Sequence, residues 1–268
     1  MSGSTAQLGG SSTTSLRAPG ELARPAALVA TDLVKRFGGL DAVQNVGFHI
    51  APGEVLGILG PNGAGKSTLI NIVSGAFQAN AGRVLLDGED ITGLDMAGRA
   101  RRGLVRTFQN TRPSEELSAR EILRLAAQAP KGTHEARMIF RPSELIDLFG
   151  LGPFADARHS SLPYGFQKIV LLAATALCQP RVLFLDEPFQ GVSDAELERL
   201  AAVIRQFQSA GVAIGLVEHN VRSVMALCER IIVLDAGKMI FSGPAQAALR
   251  DEAVQVAYLG ARFAKPHG

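Results

Sequence analysis

The sequence predicts an α/β fold with three parts: a parallel sheet covered by helices, an antiparallel sheet beside it, and an inserted helical segment. Short apolar runs alternate with helical stretches, which is typical of a parallel sheet buried on both faces. Residues 26–50 and 82–92 carry strand patterns bounded by turn signals, which indicates antiparallel strands. Residues 110–176 lack strand-like runs, so we expect this stretch to be mostly helical.

The core strands and the main helices can be assigned from the same patterns. The expected core strands are the apolar runs Val55–Leu59, Val182–Leu185, Val212–Val217 and Ile231–Leu234. The expected helices are Lys66–Phe77, Asp194–Gln208 and, near the end of the chain, Ala245–Tyr258.

The domain organisation follows from composition. Residues 1–25 are rich in Ser, Thr, Gly and Pro and lack the apolar centre of a signal peptide, so we expect a disordered tail. Residues 26–243 are expected to form one folded domain into which the helical segment of about residues 110–176 is inserted. Residues 244–268 are expected to form a C-terminal helix and tail. No internal repeat occurs.

Composition and charge exclude several classes of protein. Hydrophobic residues make up 47% of the chain, as in ordinary globular proteins. The formal net charge is +2, too small to favour nucleic acid as a partner. The two cysteines, Cys178 and Cys228, lie far apart, so neither a disulfide framework nor a cysteine metal site is expected. The longest apolar run, residues 169–178, is about half the roughly 20 residues that span a bilayer. If the protein works at a membrane, it must dock onto a partner that crosses it.

A phosphate-binding loop follows the first core strand. The motif G-x-x-x-x-G-K-[ST] opens the helix that begins at Lys66. Its glycines allow backbone N–H groups to point at phosphate oxygens beside the positive end of a helix. Lys66 can contact the β- and γ-phosphates, and the Ser67 hydroxyl can bind Mg²⁺. The expected ATP-binding residues of this loop are Gly60, Pro61, Asn62, Gly63, Ala64, Gly65, Lys66, Ser67 and Thr68.

Two neighbouring carboxylates end the second core strand. Asp186 can hold Mg²⁺, directly or through water, because this ion prefers hard oxygen ligands. Glu187 can polarise the water that attacks the γ-phosphate. The alternative is a pair of acidic residues that end a strand simply to be solvated. Since both follow a phosphate-binding loop in one chain, we interpret them as catalytic. Asp95-Met-Ala-Gly98 fits a GTPase-like D-x-x-G, but no Asn-Lys-x-Asp occurs, which favours an ATPase.

Four further motifs resemble those of ABC ATPases. Arg106-Thr-Phe-Gln109-Asn is similar to the family's Q-loop, and Leu162-Pro-Tyr-Gly165-Phe-Gln167 resembles the signature motif that opens a helix. Glu218-His219-Asn220 resembles the H-loop, and Val34-Lys-Arg-Phe37-Gly the A-loop. Taken singly, Gln109 could be a surface amide, His219 a strand-end histidine and Phe37 a core aromatic. Their order and spacing over residues 30–243 favour the family.

The resemblance implies a P-loop NTPase fold with a RecA-like parallel sheet core, an antiparallel β subdomain and an inserted α-helical subdomain. It also implies roles for single residues. Gln109 would bind Mg²⁺ and sense the attacking water, His219 would contact the γ-phosphate, and Phe37 would stack on adenine. The residues expected to meet the ATP held by a partner subunit are Leu162, Pro163, Tyr164, Gly165 and Gln167.

The resemblance extends to partners and location. The motifs around Gly60–Thr68, Gln109 and His219, with a terminal Tyr258-Leu-Gly260, are similar to ATPases of branched-chain amino acid importers, and relatives that handle urea or short amides look alike. Such a subunit would bind ATP and Mg²⁺ at the cytoplasmic face of the plasma (inner) membrane as a peripheral protein. Its partners would be a second ATPase subunit, transmembrane permease subunits and, indirectly, an extracytoplasmic solute-binding protein. The solute rests on analogy alone, because the cassette does not contact it.

Three positions depart from the family pattern. Pro163 replaces the signature serine and offers neither a hydroxyl nor an N–H. Ser193 replaces the usual aspartate of the D-loop, and Ala174 stands where relatives commonly carry arginine. All three would weaken what this subunit contributes to its partner's site while its own site stays intact. This asymmetry favours a heterodimer over a homodimer.

Three classes of function therefore remain to be weighed. The first is a transport-coupled ATPase, favoured by the presence of Glu187 and His219. The second is a nucleotide-dependent interaction subunit with low turnover because of Pro163. The third, a cassette acting on ribosomes or DNA, is disfavoured by the single cassette and the lack of a basic patch. We interpret the arginines at 99, 101, 102 and 106 as a solvated helix face rather than such a patch.

Overall fold

A computed structural model describes residues 26–107, 116–128, 141–219 and 221–263 of the chain. The strands in these ranges are β1 (Leu28–Phe37), β2 (Leu40–Ile50), β3 (Val55–Leu59), β4 (Ala81–Leu86), β5 (Glu89–Asp90), β6 (Leu104–Arg106), β7 (Val182–Asp186), β8 (Ala213–Val217), β9 (Arg230–Asp235) and β10 (Lys238–Pro244). The helices are α1 (Lys66–Val73), α2 (Met96–Arg101), α3 (Ala119–Gln128), α4 (Pro142–Leu148), α5 (Tyr164–Leu177), α6 (Asp194–Ser209), α7 (Val221–Leu227), α8 (Ala245–Ala248) and α9 (Glu252–Phe263).

The larger sheet has six strands in the order β10-β9-β3-β8-β7-β6. All neighbours pair in parallel except β10, which runs antiparallel to β9. Every residue of β3, β7 and β8 is buried, as expected for strands covered by helices on both faces. The parallel sheet predicted from the apolar runs is therefore confirmed. Because these strands are parallel, their carboxyl ends meet at one edge of the sheet.

The smaller sheet is antiparallel, with the order β2-β1-β4-β5, and confirms the strands predicted over residues 26–50 and 82–92. It packs with α1 and one side of the parallel sheet in a single hydrophobic cluster. On the other side, α3 to α6 pack into a second cluster. The two clusters place α1, which follows the phosphate-binding loop, between the antiparallel sheet and the core.

The predicted helical segment is confirmed over the ranges 116–128 and 141–176, which contain α3, α4, two short 3₁₀ turns and all of α5 except its last residue. Residues 108–115 and 129–140 lie outside the described residues, as do residues 1–25. The domain boundaries given above stay predictions. Among the helices described, none is both long enough and apolar enough to cross a membrane.

Helix α1 ends four residues before the predicted end at Phe77, at Val73. Gly75 has a φ of +81°, a left-handed conformation that ends a helix. Arg99 lies across this end and donates hydrogen bonds to the carbonyls of Ile72 and Val73, at 2.8 and 2.7 Å. The interpretation of Arg99 as part of a solvated face is therefore wrong, because the helix end supplies carbonyl acceptors that need a buried donor.

The C-terminal segment forms two helices rather than one. The predicted helix over Ala245–Tyr258 is interrupted between α8 and α9. The Asp251 carboxylate accepts a hydrogen bond from the Val254 amide at 3.0 Å, the geometry of a residue that caps the start of a new helix. Helix α9 then continues to Phe263, beyond the predicted end.

Candidate functional site

The phosphate-binding loop joins the buried strand β3 to α1. Gly65 precedes the first residue of α1 and has a φ of +99°, which side chains of L-residues rarely adopt. A Cβ at Gly65 would lie 2.5 Å from the Ala42 carbonyl oxygen, so only glycine fits between the loop and β2. The first N–H groups of α1 are thereby directed at the cavity above the loop, where they can bind an anion.

The Lys66 ammonium is buried at this loop. It donates hydrogen bonds to the carbonyl oxygens of Gly60 and Pro61, at 2.6 and 3.0 Å. Burial lowers the pKa of Lys66, and the nearby carboxylates of Glu187, Asp186 and Glu218 oppose that shift. The ammonium is therefore held by the loop that would bind the phosphates, close enough to these carboxylates to feel their charge.

An open cavity of about 820 Å³ lies over the loop. Its lining includes the predicted residues Phe37, Asn62, Gly63, Ala64, Gly65, Lys66, Ser67, Thr68 and Glu187. Sequence reasoning missed the other lining residues, which are Leu40, Asp41, Ala42, Gln44, Ala236 and Gly237. The last two form the β9–β10 turn, and the Gly237 amide donates to the Ala64 carbonyl at 3.0 Å. The sequence Ala236-Gly237 is compatible with a turn, but the contact of this turn with the phosphate-binding loop could not be predicted from it.

Phe37 lies at the outer wall of the cavity, at the end of β1. Its exposed ring makes an edge-to-face contact with Phe77, with 5.6 Å between the ring centroids. The Lys35 ammonium lies 5.2 Å from the Phe37 centroid. An aromatic ring fixed by these neighbours offers its free surface to a planar ligand group.

The second half of the site is formed where β7 and β8 end. Asp186 is the last residue of β7, and Glu187 follows with a φ of +48°. A left-handed non-glycine residue is strained, and such strain is often found at functional sites. The Glu187 carboxylate lies 3.7 Å from Nδ1 of His219, which comes after β8. The side chains of His219 and Glu187 are 50% and 18% exposed, and Glu187 lines the cavity over the loop.

Glu218, between β8 and His219, was not singled out from the sequence as a site residue. Its buried carboxylate accepts a hydrogen bond from the Phe189 amide at 3.0 Å, which ties β8 to the loop after β7. Burial raises the pKa of Glu218. The residue therefore holds the loop that carries Glu187 rather than facing the cavity.

The donor set fits a magnesium ion held jointly with a nucleotide. Within the described residues, no group of three or more His, Cys, Asp or Glu side chains could hold a metal. Magnesium in nucleotide sites needs only one or two carboxylates, because phosphates and water complete its shell. The Asp186 carboxylate and the Ser67 hydroxyl are hard oxygen donors at the two halves of the site.

Asp186 also has a neighbour that the sequence did not reveal. One guanidinium nitrogen of Arg106 lies 2.7 Å from its Oδ2, and both side chains are buried, at 8% and 7% exposure. A second nitrogen of Arg106 donates to Oδ1 of Asn71 on α1. The expected solvated arginine face is therefore wrong for Arg99 and Arg106, whereas Arg101 is exposed and Arg102 partly exposed. Arg106 instead turns inward, towards the carboxyl end of β7.

The predicted signature residues surround the start of α5. Pro163 precedes the helix, and its carbonyl accepts hydrogen bonds from the amides of residues 166 and 167 at 2.9 and 3.1 Å. Leu162 is buried in the core, whereas Pro163 and Tyr164 are exposed. Gln167 turns back and donates to the Leu162 carbonyl at 2.8 Å. The prediction that this motif opens a helix is confirmed.

The N–H of Gly165 already has an acceptor within the same chain. It donates to the Glu196 carboxylate of α6 at 2.8 Å, and a Cβ at Gly165 would lie 2.6 Å from Glu196 Cγ. Lys168 of α5 donates to the carbonyls of Pro188 and Gln190, at 2.8 and 2.7 Å. Helix α5 is thus tied to the segment after Glu187 by contacts that the sequence did not predict.

The structure brings most of the predicted site residues together at one edge of the sheet. The phosphate-binding loop, Phe37 and Glu187 share one cavity, and His219 lies beside Glu187. The signature residues lie at the start of α5 and do not line this cavity. Gln109, predicted as a catalytic and metal-binding residue, lies outside the described residues. The roles assigned to all of these residues stay predictions.

Comparison with known proteins places this geometry in context. The model of the ABC transporter family matches residues 43–190. The branched-chain amino acid transport ATP-binding protein BraF of Pseudomonas aeruginosa is 34% identical over 248 residues, which cover 87% of this chain and 97% of BraF. LivG of Escherichia coli, also a branched-chain amino acid transport ATP-binding protein, is 32% identical over 87% of this chain and 97% of LivG. The lipopolysaccharide export protein LptB of Escherichia coli is 32% identical over 238 residues, with 89% and 99% covered.

Solved structures agree with the fold. A nucleotide-free ATP-binding cassette from an ABC transporter superposes with a TM-score of 0.79 at 27% identity, covering 87% of this chain and 98% of that one. The ADP conformation of MJ1267, an ATP-binding cassette of an ABC transporter, also gives a TM-score of 0.79, at 26% identity, with 88% and 99% covered.

Proposed function

The chain belongs to the ABC transporter family as one of its ATP-hydrolysing cassettes, and from this premise we propose that it powers import of branched-chain amino acids or a related small polar solute. One observation carries the proposal of an active hydrolytic site. The phosphate-binding loop on α1, Glu187 after β7 and His219 after β8 converge where three neighbouring parallel strands end.

The chemistry follows from what each group can do at the γ-phosphate. The N–H groups of the loop and the Lys66 ammonium would bind and orient the phosphates. The Glu187 carboxylate would accept a proton from the attacking water, and His219, 3.7 Å away, would donate to the γ-phosphate. Ser67, Asp186 and Gln109 are the residues proposed to hold Mg²⁺. When bound, this ion neutralises charge on the phosphate oxygens. Phe37 would stack on the adenine ring.

The proposed assembly is a head-to-tail pair of cassettes attached to transmembrane permease subunits at the cytoplasmic face of the membrane. In that arrangement the start of α5, including Pro163 and Gly165, would complete the partner's ATP site. Pro163 offers no hydroxyl there, which supports a heterodimer with one strong and one weak site. An extracytoplasmic binding protein would deliver the solute.

The choice of solute rests on the relatives. BraF and LivG are described as branched-chain amino acid transport proteins, and LptB, described as a lipopolysaccharide export protein, is about as similar. Lipopolysaccharide export is therefore the second candidate. A deletion strain distinguishes them: uptake of labelled leucine should fall if the chain serves an importer, whereas surface lipopolysaccharide should fall if it serves the exporter.

The hydrolytic proposal is tested by Glu187→Gln in the assembled complex. We expect near-normal ATP binding and loss of most steady-state hydrolysis, because the amide cannot act as a base while Asp186 and Lys66 remain. Lost base catalysis commonly lowers a rate by about 10²–10⁴-fold. Glu198→Gln, on the exposed face of α6, is the matched control and should leave turnover unchanged. Unchanged turnover in Glu187→Gln would refute the assignment of Glu187 as the base and favour a subunit whose role is nucleotide-dependent interaction.

A further inference from the structure

The Arg106–Asp186 ion pair lies where the proposed function requires a divalent cation. Arg106 ends the edge strand β6, and Asp186 ends the neighbouring strand β7. Their side chains meet at 2.7 Å and are almost fully buried. A carboxylate with so little access to water is costly to keep ionised without a positive charge beside it. Arg106 supplies that charge.

We propose that Arg106 is a positioning residue that holds Asp186 when no divalent cation does, and that Mg²⁺ has to compete with it for this carboxylate. The inference rests on the proposed function, in which Asp186 is a Mg²⁺ ligand. A guanidinium and Mg²⁺ at one carboxylate repel each other strongly at this burial, since charges a few ångströms apart interact by several-fold more than in bulk water. Binding of Mg²⁺ at Asp186 therefore opposes the contact with Arg106.

The contacts of Arg106 show which elements this competition would affect. The side chain also contacts Asn71 on α1, so it bridges the helix of the phosphate-binding loop and the end of β7. The Thr107 amide donates to the Phe184 carbonyl at 2.9 Å, which fixes the backbone just before residue 108. Displacement of the guanidinium from Asp186 would therefore act on both α1 and the end of β6.

A purely structural role for Arg106 would give a different experimental result from competition with Mg²⁺. Two other arginines make contacts away from the site: Arg99 binds carbonyls at the end of α1, and Arg102 forms an exposed pair with Glu89 at 2.7 Å. If Arg106 were only structural, its removal would lower stability equally with and without Mg²⁺. If Arg106 competes with Mg²⁺, its removal should lower stability in EDTA but raise the affinity for Mg²⁺, so that the loss is smaller when Mg²⁺ is bound.

The test uses the purified full-length chain with Arg106→Gln, with Arg102→Gln as the matched control. In EDTA we expect the melting temperature of Arg106→Gln to fall by at least about 5 °C, because removing one partner of a buried pair leaves the other charge uncompensated. With a non-hydrolysable ATP analogue, the Mg²⁺ concentration that gives half-maximal stabilisation should fall by roughly tenfold or more. Arg102→Gln should change neither value.

If the single variant does not fold in EDTA, the double variant Arg106→Gln/Asp186→Asn tests the ion pair through its own stability. Removing both charges relieves the unpaired carboxylate, so the double variant should recover most of the lost stability in EDTA. An unchanged or higher Mg²⁺ requirement in Arg106→Gln, or no recovery in the double variant, would overturn the proposal. Failure of the proposed Mg²⁺ site is distinguishable, because the wild-type chain would then show no Mg²⁺-dependent stabilisation by the analogue.

Discussion

Arg99 offers the sharpest prediction of stability. Arg99 is 1% exposed, and its guanidinium connects the end of α1 to the loop before α2. Besides the carbonyls of Ile72 and Val73, it donates to those of Thr92 and Leu94, at 2.7 and 3.0 Å. We expect Arg99→Met to destabilise the fold markedly, because methionine keeps part of the packing but leaves these carbonyls without their donor.

The magnitude follows from two opposing contributions. A hydrogen bond from a charged donor contributes about 1.5–3 kcal/mol net, and four to one side chain are not additive. Removing the arginine also removes a buried charge that burial disfavours, as the lowered pKa of Arg99 indicates. A loss of about 3–4 kcal/mol in the free energy of unfolding is the balance we expect. At about 2–4 °C per kcal/mol, the melting temperature should fall by about 6–16 °C.

Urea or thermal unfolding of the wild-type and variant chains measures this loss. Arg102→Met is the matched control, since Arg102 is 35% exposed and forms an ion pair with the exposed Glu89. Such surface pairs contribute about 0–1 kcal/mol. If Arg99→Met changed the free energy of unfolding by less than about 1 kcal/mol, the argument that this arginine satisfies the end of α1 would be refuted.

Four further predictions concern the site. Lys66→Ala should weaken ATP binding by about 1.5–3 kcal/mol in titration calorimetry, since a charge-assisted contact is lost; equal affinity would exclude the loop as the phosphate site. Phe37→Ala should weaken the binding of ATP by about 1–3 kcal/mol but leave the binding of inorganic triphosphate unchanged, because only the base stacks on the ring; equal losses for both ligands would contradict the stacking role. Pro163→Ser should raise ATPase activity of the complete complex several-fold if the signature lacks a donor, and the gain should vanish when the partner's catalytic glutamate is blocked; no gain in either background would leave Pro163 a helix-start residue. Glu218→Gln keeps an acceptor for the Phe189 amide. Because burial raises the pKa of Glu218, its ionisation opposes folding as pH rises through the folded-state pKa. In urea unfolding, the variant should therefore gain stability relative to wild type as the pH rises above about 4.3, the ordinary pKa of a glutamate. A difference that does not change with pH would contradict this.

Patterns within a few residues were enough to predict most of the fold. The buried strand β3 has the bounds read from its apolar run, and α6 begins at the residue predicted. The end of α1 and the break after α8 were not predictable in this way. The first depends on Arg99, more than twenty residues away, and the second on a capping carboxylate competing with a weak helical pattern.

The same division applies to the site. The sequence by itself determined the phosphate-binding loop, the Asp186-Glu187 pair and His219, because each motif needs fixed residue types at short, fixed spacing. Only the tertiary structure decided what surrounds them. Arg106 reaches Asp186 because β6 pairs with β7 in parallel, and the turn after β9 supports the loop because β9 pairs with β3. These contacts join residues 80 and more than 170 positions apart, and no local pattern of hydrophobicity or charge encodes which distant strand will lie beside another.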